Sequence, residues 1–213
     1  MKVYKFEFSL FGINTYVLVD EATKKCAIID PGMMDAEEDE VMEGFVERNN
    51  LTVTHIINTH LHVDHAIGDK KAAELFKAPI MAHKDDEFLG SRMQQQAQMF
   101  GIAERVNDVS ITTYLEEGDI IKIGEGELKV IHVPGHSPGG IALYDAADGF
   151  VISGDSLFAG SIGRTDLPGG DMPTLIDAVK GKLLTLPPST IVYPGHGPAT
   201  TVGLEHARNP YLK

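Results

Sequence analysis

The sequence predicts an α/β protein made of two sheets packed face to face with helices outside, a four-layer αββα sandwich. Two observations carry this. Strand-like and helical segments alternate along the chain in two similar halves. Several apolar, strand-like runs stop at Gly or Pro and then present one His or Asp, as the edge of a rigid sheet does when it aims side chains at one point. The length of 213 residues fits one domain spanning 1–213, with enough chain to bury a core without disulfide staples.

The elements follow in order. Val3 to Phe8 and Thr15 to Val19 read as strands by alternation and β-branching. Ala22 to Lys25 is a polar turn, and Cys26 to Ile29 is a third strand ended by Asp30-Pro31-Gly32. Asp35 to Asn49 has helical spacing, with Val41, Phe45 and Val46 on one face. Thr54 to Asn58 is a short strand that runs into a histidine-rich loop, and Ile67 to Phe76 is the helix after it. Pro79 to Ala82 is the next strand. Ser91 to Val106 reads as a helix with Met93, Ala97 and Phe100 on one stripe; it caps the core, walls a pocket or forms a homodimer surface. Strands follow at Ile120 to Ile123, Glu127 to Val133, Ile141 to Tyr144 and Phe150 to Ser153, the last two joined by an Asp148-Gly149 turn. Met172 to Leu184 is a helix capped by Asp171, with Pro173 in its first turn. A strand at Ile191 to Tyr193 and a helix from Thr201 to Arg208 close the chain.

Composition narrows the function classes. Apolar content is 43%, ordinary for a globular protein. The formal charge of −13 repels phosphate backbones and argues against a nucleic-acid partner. The N-terminus alternates too strictly for a secretory signal, and no apolar run approaches the ~20 residues of a membrane span. The expectation is a cytoplasmic protein with no membrane partner. Cys26, the lone cysteine, sits in a strand-like run and reads as a buried small hydrophobe.

The chemistry lies in Thr59-His60-Leu61-His62-Val63-Asp64-His65. Three imidazoles and a carboxylate on one short loop converge only around something cationic, and His and Asp are the ligands that borderline metals such as Zn²⁺ and Fe²⁺ accept. His136 follows the run Leu128 to Val133, Asp155 ends Val151-Ile152-Ser153-Gly154, and His196 follows Ile191-Val192-Tyr193-Pro194-Gly195. His60, His62, Asp64, His65, His136, Asp155 and His196 are too many for one tetrahedral zinc. They suit two metals with a shared carboxylate and a shared water. His55, His83, His132 and His206 lie outside every such motif and read as core or surface histidines.

The HxHxDH loop, the later lone His, the Asp after a strand and the last His resemble the metallo-β-lactamase superfamily from Asn14 to His196. Leu157 to Asp166 resembles the short glyoxalase II-like hydrolases. The resemblance implies the metallo-β-lactamase fold and two divalent metal ions, zinc first, with iron or manganese accepted by the same donors. It assigns His60, His62 and His136 to one metal, Asp64, His65 and His196 to the other, and Asp155 as the bridge. A metal-bridging hydroxide is then the nucleophile, with Asp64 as ligand and orienter of that water. The implied substrate is a small-molecule thioester, S-lactoylglutathione or a related acyl-thiol. Its thiolate, with a pKa of ~8–9, leaves without a strong general acid. A β-lactam fits less well, since no further His or Glu has motif support for protonating an amine.

Asp30 matches a superfamily position near the metals, where it either fixes a ligand or only caps a turn. Asn14 and Thr59 are weaker candidates of the same kind. Arg164, in Gly163-Arg164, matches the basic residue that binds a glutathione carboxylate in glyoxalase II enzymes; the alternative is an ion pair with Asp166 or Asp171. Two features depart from those enzymes. Thr165-Asp166 replaces their aromatic pair, and the chain ends at Lys213, soon after His196. The expectation is no separate C-terminal glutathione-binding domain, with that surface absent or supplied by another subunit. Gly163-Arg164-Thr165-Asp166 also resembles persulfide dioxygenases of the same superfamily, which implies one iron on His60, His136 and Asp155. A third reading is a metal-stabilised binding module, but a structural site is normally closed by four ligands on one metal.

Overall fold

The computed structural model describes residues 1–8, 11–102 and 106–213. Its first sheet is built from β1 (Lys2–Phe8), β2 (Ile13–Asp20), β3 (Lys25–Ile29), β4 (Thr52–Ile57), β5 (Ile80–His83) and β6 (Thr113–Leu115), adjacent in that order. β1 to β3 pair antiparallel, and β3 to β6 pair parallel. The second sheet contains β7 (Ile120–Ile123), β8 (Gly126–His132), β9 (Ile141–Asp145), β10 (Phe150–Gly154), β13 (Ile191–Pro194) and β14 (Thr200–Thr201), in the order β14-β13-β10-β9-β8-β7. A small hairpin, β11 (Leu157–Phe158) with β12 (Ser161–Ile162), lies between β10 and β13 in the chain.

Alternation along the strands sets the layers, because successive side chains leave opposite faces of a sheet. Tyr16, Leu18, Ala27, Ile29 and Ile57 face the second sheet and meet Ile123, Leu128, Val130, Leu143 and Ile152. Their neighbours Val17, Val19, Cys26, Ile28 and Ile56 face a helical layer. That layer is α1 (Ala36–Arg48), α2 (Val63–Ala66), α3 (Asp69–Phe76), α4 (Glu87–Gly90) and α5 (Met93–Phe100), which contribute Met42, Val46, Val63, Ala72, Leu89, Met93 and Ala97 to the same cluster. On the far side, Val133, Ala142, Val151 and Val192 pack on α6 (Met172–Ala178), the π-helical turn Val179–Leu183 and α7 (Val202–Arg208). Three apolar interlayers therefore separate four layers, the αββα sandwich expected from the sequence.

Four local expectations change. Asp35 caps α1, accepting from Glu37 N and Glu38 N, but the buried stripe is Met42 and Val46, while Val41 is 46% exposed. The helix expected over 67–76 begins earlier, as α2 inside the histidine loop, and restarts at Asp69 after Gly68. The helix expected over 91–106 ends at Phe100, where Gly101 turns to a φ of 71°; residues 103–105 of that span lie outside the described residues. Met93 and Ala97 are buried as the stripe requires, but Phe100 is 43% exposed. The helix expected from Met172 to Leu184 changes to π geometry at Val179. Among the described residues no helix is long and apolar enough to cross a membrane.

Candidate metal centre

β4 ends at Ile57, and the chain then folds back on itself through the histidine loop. Asn58 Nδ2 donates to His65 O and to Asp69 Oδ1, both at 3.1 Å. Gln96 on α5 accepts from Val63 N at 3.0 Å and donates to Leu61 O at 3.2 Å. Asp86 accepts from Leu61 N at 3.1 Å, Ser137 Oγ at 2.8 Å and Gly139 N at 2.6 Å, so one buried carboxylate ties the His60 loop to the His136 loop. The His196 loop is held from the other sheet: Asn14 N donates to Gly195 O at 2.7 Å, Asn14 Nδ2 to Pro194 O at 2.9 Å, and Tyr16 Oη to Pro194 O at 2.7 Å. Asn14 thus acts on the backbone of the loop that carries His196.

The seven expected ligands meet at one end of the sandwich. His62 Nδ1 lies 2.9 Å from His136 Nε2, which lies 3.1 Å from His60 Nε2. A second group forms beside the first, with Asp64 Oδ2 3.1 Å from His196 Nε2 and 3.9 Å from His65 Nε2. Asp155 spans them. Its Oδ1 is 3.3 Å from His65 Nε2, and its Oδ2 is 3.6 Å from His136 Nε2 and 3.7 Å from His196 Nε2.

The donor set fits divalent ions. Ligand atoms about 2.0–2.2 Å from a tetrahedral metal are separated by roughly 3.3–3.5 Å, and the separations here bracket that edge. Among the described residues, the buried atoms His65 Nε2 and Asp155 Oδ1 face each other without a hydrogen bond to any group. Orphaned polar atoms at such depth are costly unless something else binds them.

The rings are also fixed from behind, as metal-bound imidazoles require. His65 Nδ1 donates to Asp30 Oδ2 at 2.9 Å, and His136 Nδ1 to the carbonyl of Arg164 at 2.7 Å. His60 Nδ1 meets Thr59 Oγ1 at 3.2 Å, and His196 Nδ1 meets Gly12 O at 3.3 Å. Two glycines permit this crowding. A Cβ on Gly195 would overlap Asp155 Oδ1 and lie 2.6 Å from His65 Cε1, and one on Gly163 would overlap the Asp155 carbonyl.

Burial and neighbouring charge divide the titrations. Burial, reinforced by His65 and His136, holds His60 well below the ordinary imidazole value. Burial and His136 hold His62 down at about 3. For His65 burial acts downward, but Asp155, Asp30 and Asp64 outweigh it and raise the value well above normal. His196 is likewise raised by Asp64 and Asp155 against its burial. Asp155 and Asp64 are lowered by the imidazoles around them, again against burial.

Asp30 holds the histidine loop from behind and does not cap its own turn through its side chain. It is fully buried, with a φ of 50°, and accepts from Thr59 N and Thr59 Oγ1 at 2.7 Å as well as from His65. The Arg164 guanidinium pairs with Asp166 through two bonds of 2.7 and 2.8 Å, on an exposed part of the cleft rim. Asp171 does not take part; it caps α6 by accepting from Thr174 N. Asp86 and Gln96 escaped the sequence reading because nothing in their local context marks them. His83, Asp85 and His132 form a further group, but the two rings stack parallel at 4.2 Å and His132 Nε2 is committed to Pro138 O, so their lone pairs do not converge.

The family model for the metallo-β-lactamase superfamily matches residues 9–196. The chain belongs to the metallo-β-lactamase superfamily. It is 35% identical over 196 residues to the hydroxyacylglutathione hydrolase GloC of Haemophilus influenzae, covering 92% of this chain and 91% of that protein. Among solved structures it is similar to the BLEG-1 B3 metallo-β-lactamase, with a TM-score of 0.90, 32% identity and all of both chains covered. TTHA1623 in a di-iron-bound form matches with a TM-score of 0.86 and 36% identity over 99% of this chain and all of that one. ETHE1 from Myxococcus xanthus matches at 0.81 and 27% over 99% and 84%. Members of the superfamily bind divalent metals, and this chain places His and Asp clusters able to hold them at the site described.

Proposed function

We propose that this protein is a two-metal hydrolase of thioesters, glyoxalase II-like. The supporting observation is Asp155, whose two oxygens reach toward both ligand groups at 3.3–3.7 Å. His60, His62 and His136 would hold one ion, Asp64, His65 and His196 the other, and Asp155 would link them. Zinc suits this donor set, and iron or manganese accept the same ligands; TTHA1623, named as di-iron-bound, supports the two-ion count. When bound, such a pair supplies a water acidified toward neutral pH and a Lewis acid for a carbonyl oxygen.

The chain's own part is positioning. Asp30, Thr59 and the Arg164 carbonyl keep the outer nitrogens of His65, His60 and His136 occupied, so the inner nitrogens stay free as ligands. Asp64, on the cleft wall, would be both a ligand and the group that orients the attacking water. The cleft outside the ligands contains no further imidazole or free carboxyl among the described residues to protonate an amine. A thiolate leaving group does without one. The similarity to GloC supports a thioester carrying an acyl group on a thiol, S-lactoylglutathione or a related compound.

A second reading, a one-iron persulfide dioxygenase using His60, His136 and Asp155, is supported by the likeness to ETHE1. The two readings differ in the use of Asp64 and His196, which approach to 3.1 Å: ligands of a second ion in the hydrolase, spare in the dioxygenase. One preparation tests both. Metal analysis should give close to two equivalents per chain, with thiol release from acyl-thiols in excess of free metal. One iron per chain with O₂ uptake on glutathione persulfide would establish the dioxygenase instead, and ring opening of a β-lactam without thioester turnover would favour the activity named for BLEG-1.

A further inference from the structure

We infer that the part of the substrate seated beside the metal ligands is an alkyl or aryl group, carried on the acyl or the thiol side of the thioester. This rests on the thioesterase reading and narrows its substrate class to acyl-thiols with an apolar arm, which sets S-lactoylglutathione itself aside.

The cleft at the metal ligands has a volume of about 220 Å³. Beside the clustered His and Asp side chains, Gln96 and Arg164, its lining is apolar, with Phe11, Val63, Met99, Phe100, Leu167 and Pro168 among it. Met99 is 66% and Phe100 43% exposed, two adjacent large apolar side chains on the rim. Phe100 meets Phe11 edge to face, with ring centroids 5.6 Å apart, so an aromatic wall is already assembled. Exposed apolar side chains gathered on a concave site mark a surface for an apolar ligand group.

Charge points the same way. Among the described residues, Arg164 is the one Lys or Arg side chain lining the cleft, and Asp166 already takes the Nε and Nη2 edge of its guanidinium. A glutathione carboxylate would have to share the guanidinium with Asp166 through Nη1, on a chain whose formal charge of −13 disfavours a further anion. An alkyl or aryl group meets neither obstacle.

The test uses metal-loaded enzyme and two substrate series. The first holds the neutral thiol N-acetylcysteamine constant and varies the acyl group through acetyl, butyryl, hexanoyl and phenylacetyl. The second holds acetyl constant and varies the thiol through N-acetylcysteamine, hexanethiol and glutathione. We expect kcat/KM to rise roughly two- to fourfold per buried methylene in one series, which also identifies the side that occupies the cleft. Met99→Ser with Phe100→Ser should flatten that rise and leave metal content intact. A flat or falling response in both series, or a preference for the glutathione ester, would overturn the inference while leaving thioester hydrolysis established. If no thioester is turned over, the thioesterase reading fails, and calorimetry decides the cleft separately. Affinity that increases from ethanethiol to hexanethiol and is lost in the double variant supports the apolar subsite, and equal affinities refute it.

Discussion

Replacing Asp30 by Asn should weaken one metal site and spare the other. Asp30 is fully buried and accepts three hydrogen bonds, from Thr59 N and Thr59 Oγ1 at 2.7 Å and from His65 Nδ1 at 2.9 Å. Asn keeps the volume and tolerates the φ of 50° that would strain most residues. Its oxygen can still serve the fixed Thr59 N–H. The amide NH₂ then replaces the oxygen that faced His65, and two donors meet. His65 relieves this by moving its proton from Nδ1 to Nε2, the nitrogen aimed at Asp155 Oδ1. An Nε2–H cannot ligate. Flipping the amide restores His65 but leaves the buried Thr59 N–H without an acceptor. Either way roughly 1.5–3 kcal/mol of a charge-assisted bond is lost. The affinity of the Asp64, His65, His196 group should fall about 10–100-fold, as for other lost partners of a metal-bound imidazole. The His60, His62, His136 group should keep its affinity within about threefold, because Thr59 Oγ1 can still accept from His60. Competition titration against a chromophoric chelator resolves the two affinities. An Asp30→Asn protein that binds both ions as the parent does would show that the tautomer argument is wrong.

Three more outcomes follow from the same geometry. Adding metal to stripped protein at pH 7 should release protons mainly on filling the second group. His60 and His62 are held low and already neutral, whereas His65 and His196 are raised and must lose protons to bind. Falling pH therefore ejects that ion first, and calorimetry in buffers of different ionisation heat counts the protons; equal release at both steps contradicts this. Asp155→Ala should lose metal, while Arg164→Ala should retain it, because His136 is held by the Arg164 backbone carbonyl and not by its side chain; elemental analysis of the two variants decides. Asp86→Ala orphans Leu61 N, Ser137 Oγ and Gly139 N. It should cost about 3 kcal/mol or more and lower Tm by roughly 6–12 °C for a chain of this size; a shift under about 2 °C would mean that the two loops stand without this brace.

The layers and the positions of the clustered His and Asp side chains were legible because their causes are local. Alternation along Thr15 to Val19 and Cys26 to Ile29 dictates that neighbours face different layers, and they do. His136, Asp155 and His196 each follow a strand stopped at Gly or Pro, so a few residues suffice to place them. The buried face of α1 was not legible. Val41 and Met42 stand only about 100° apart on a helix, and the first sheet selects Met42. Nor was the role of α5, whose Gln96 braces the histidine loop while Met99 and Phe100 line the cleft. The short strands β6, β11, β12 and β14 have two or three residues each, too few to show a period.

The sequence by itself determined the sandwich class and the set of side chains able to hold metal, since period and ligand chemistry are properties of neighbouring residues. Only the tertiary structure decided that Asp155 stands between two groups of His and Asp side chains, that Asp30 holds His65, and that Asp86 ties the His60 loop to Gly139, 53 residues beyond Asp86. Those are contacts between distant segments, fixed by how two sheets register against each other.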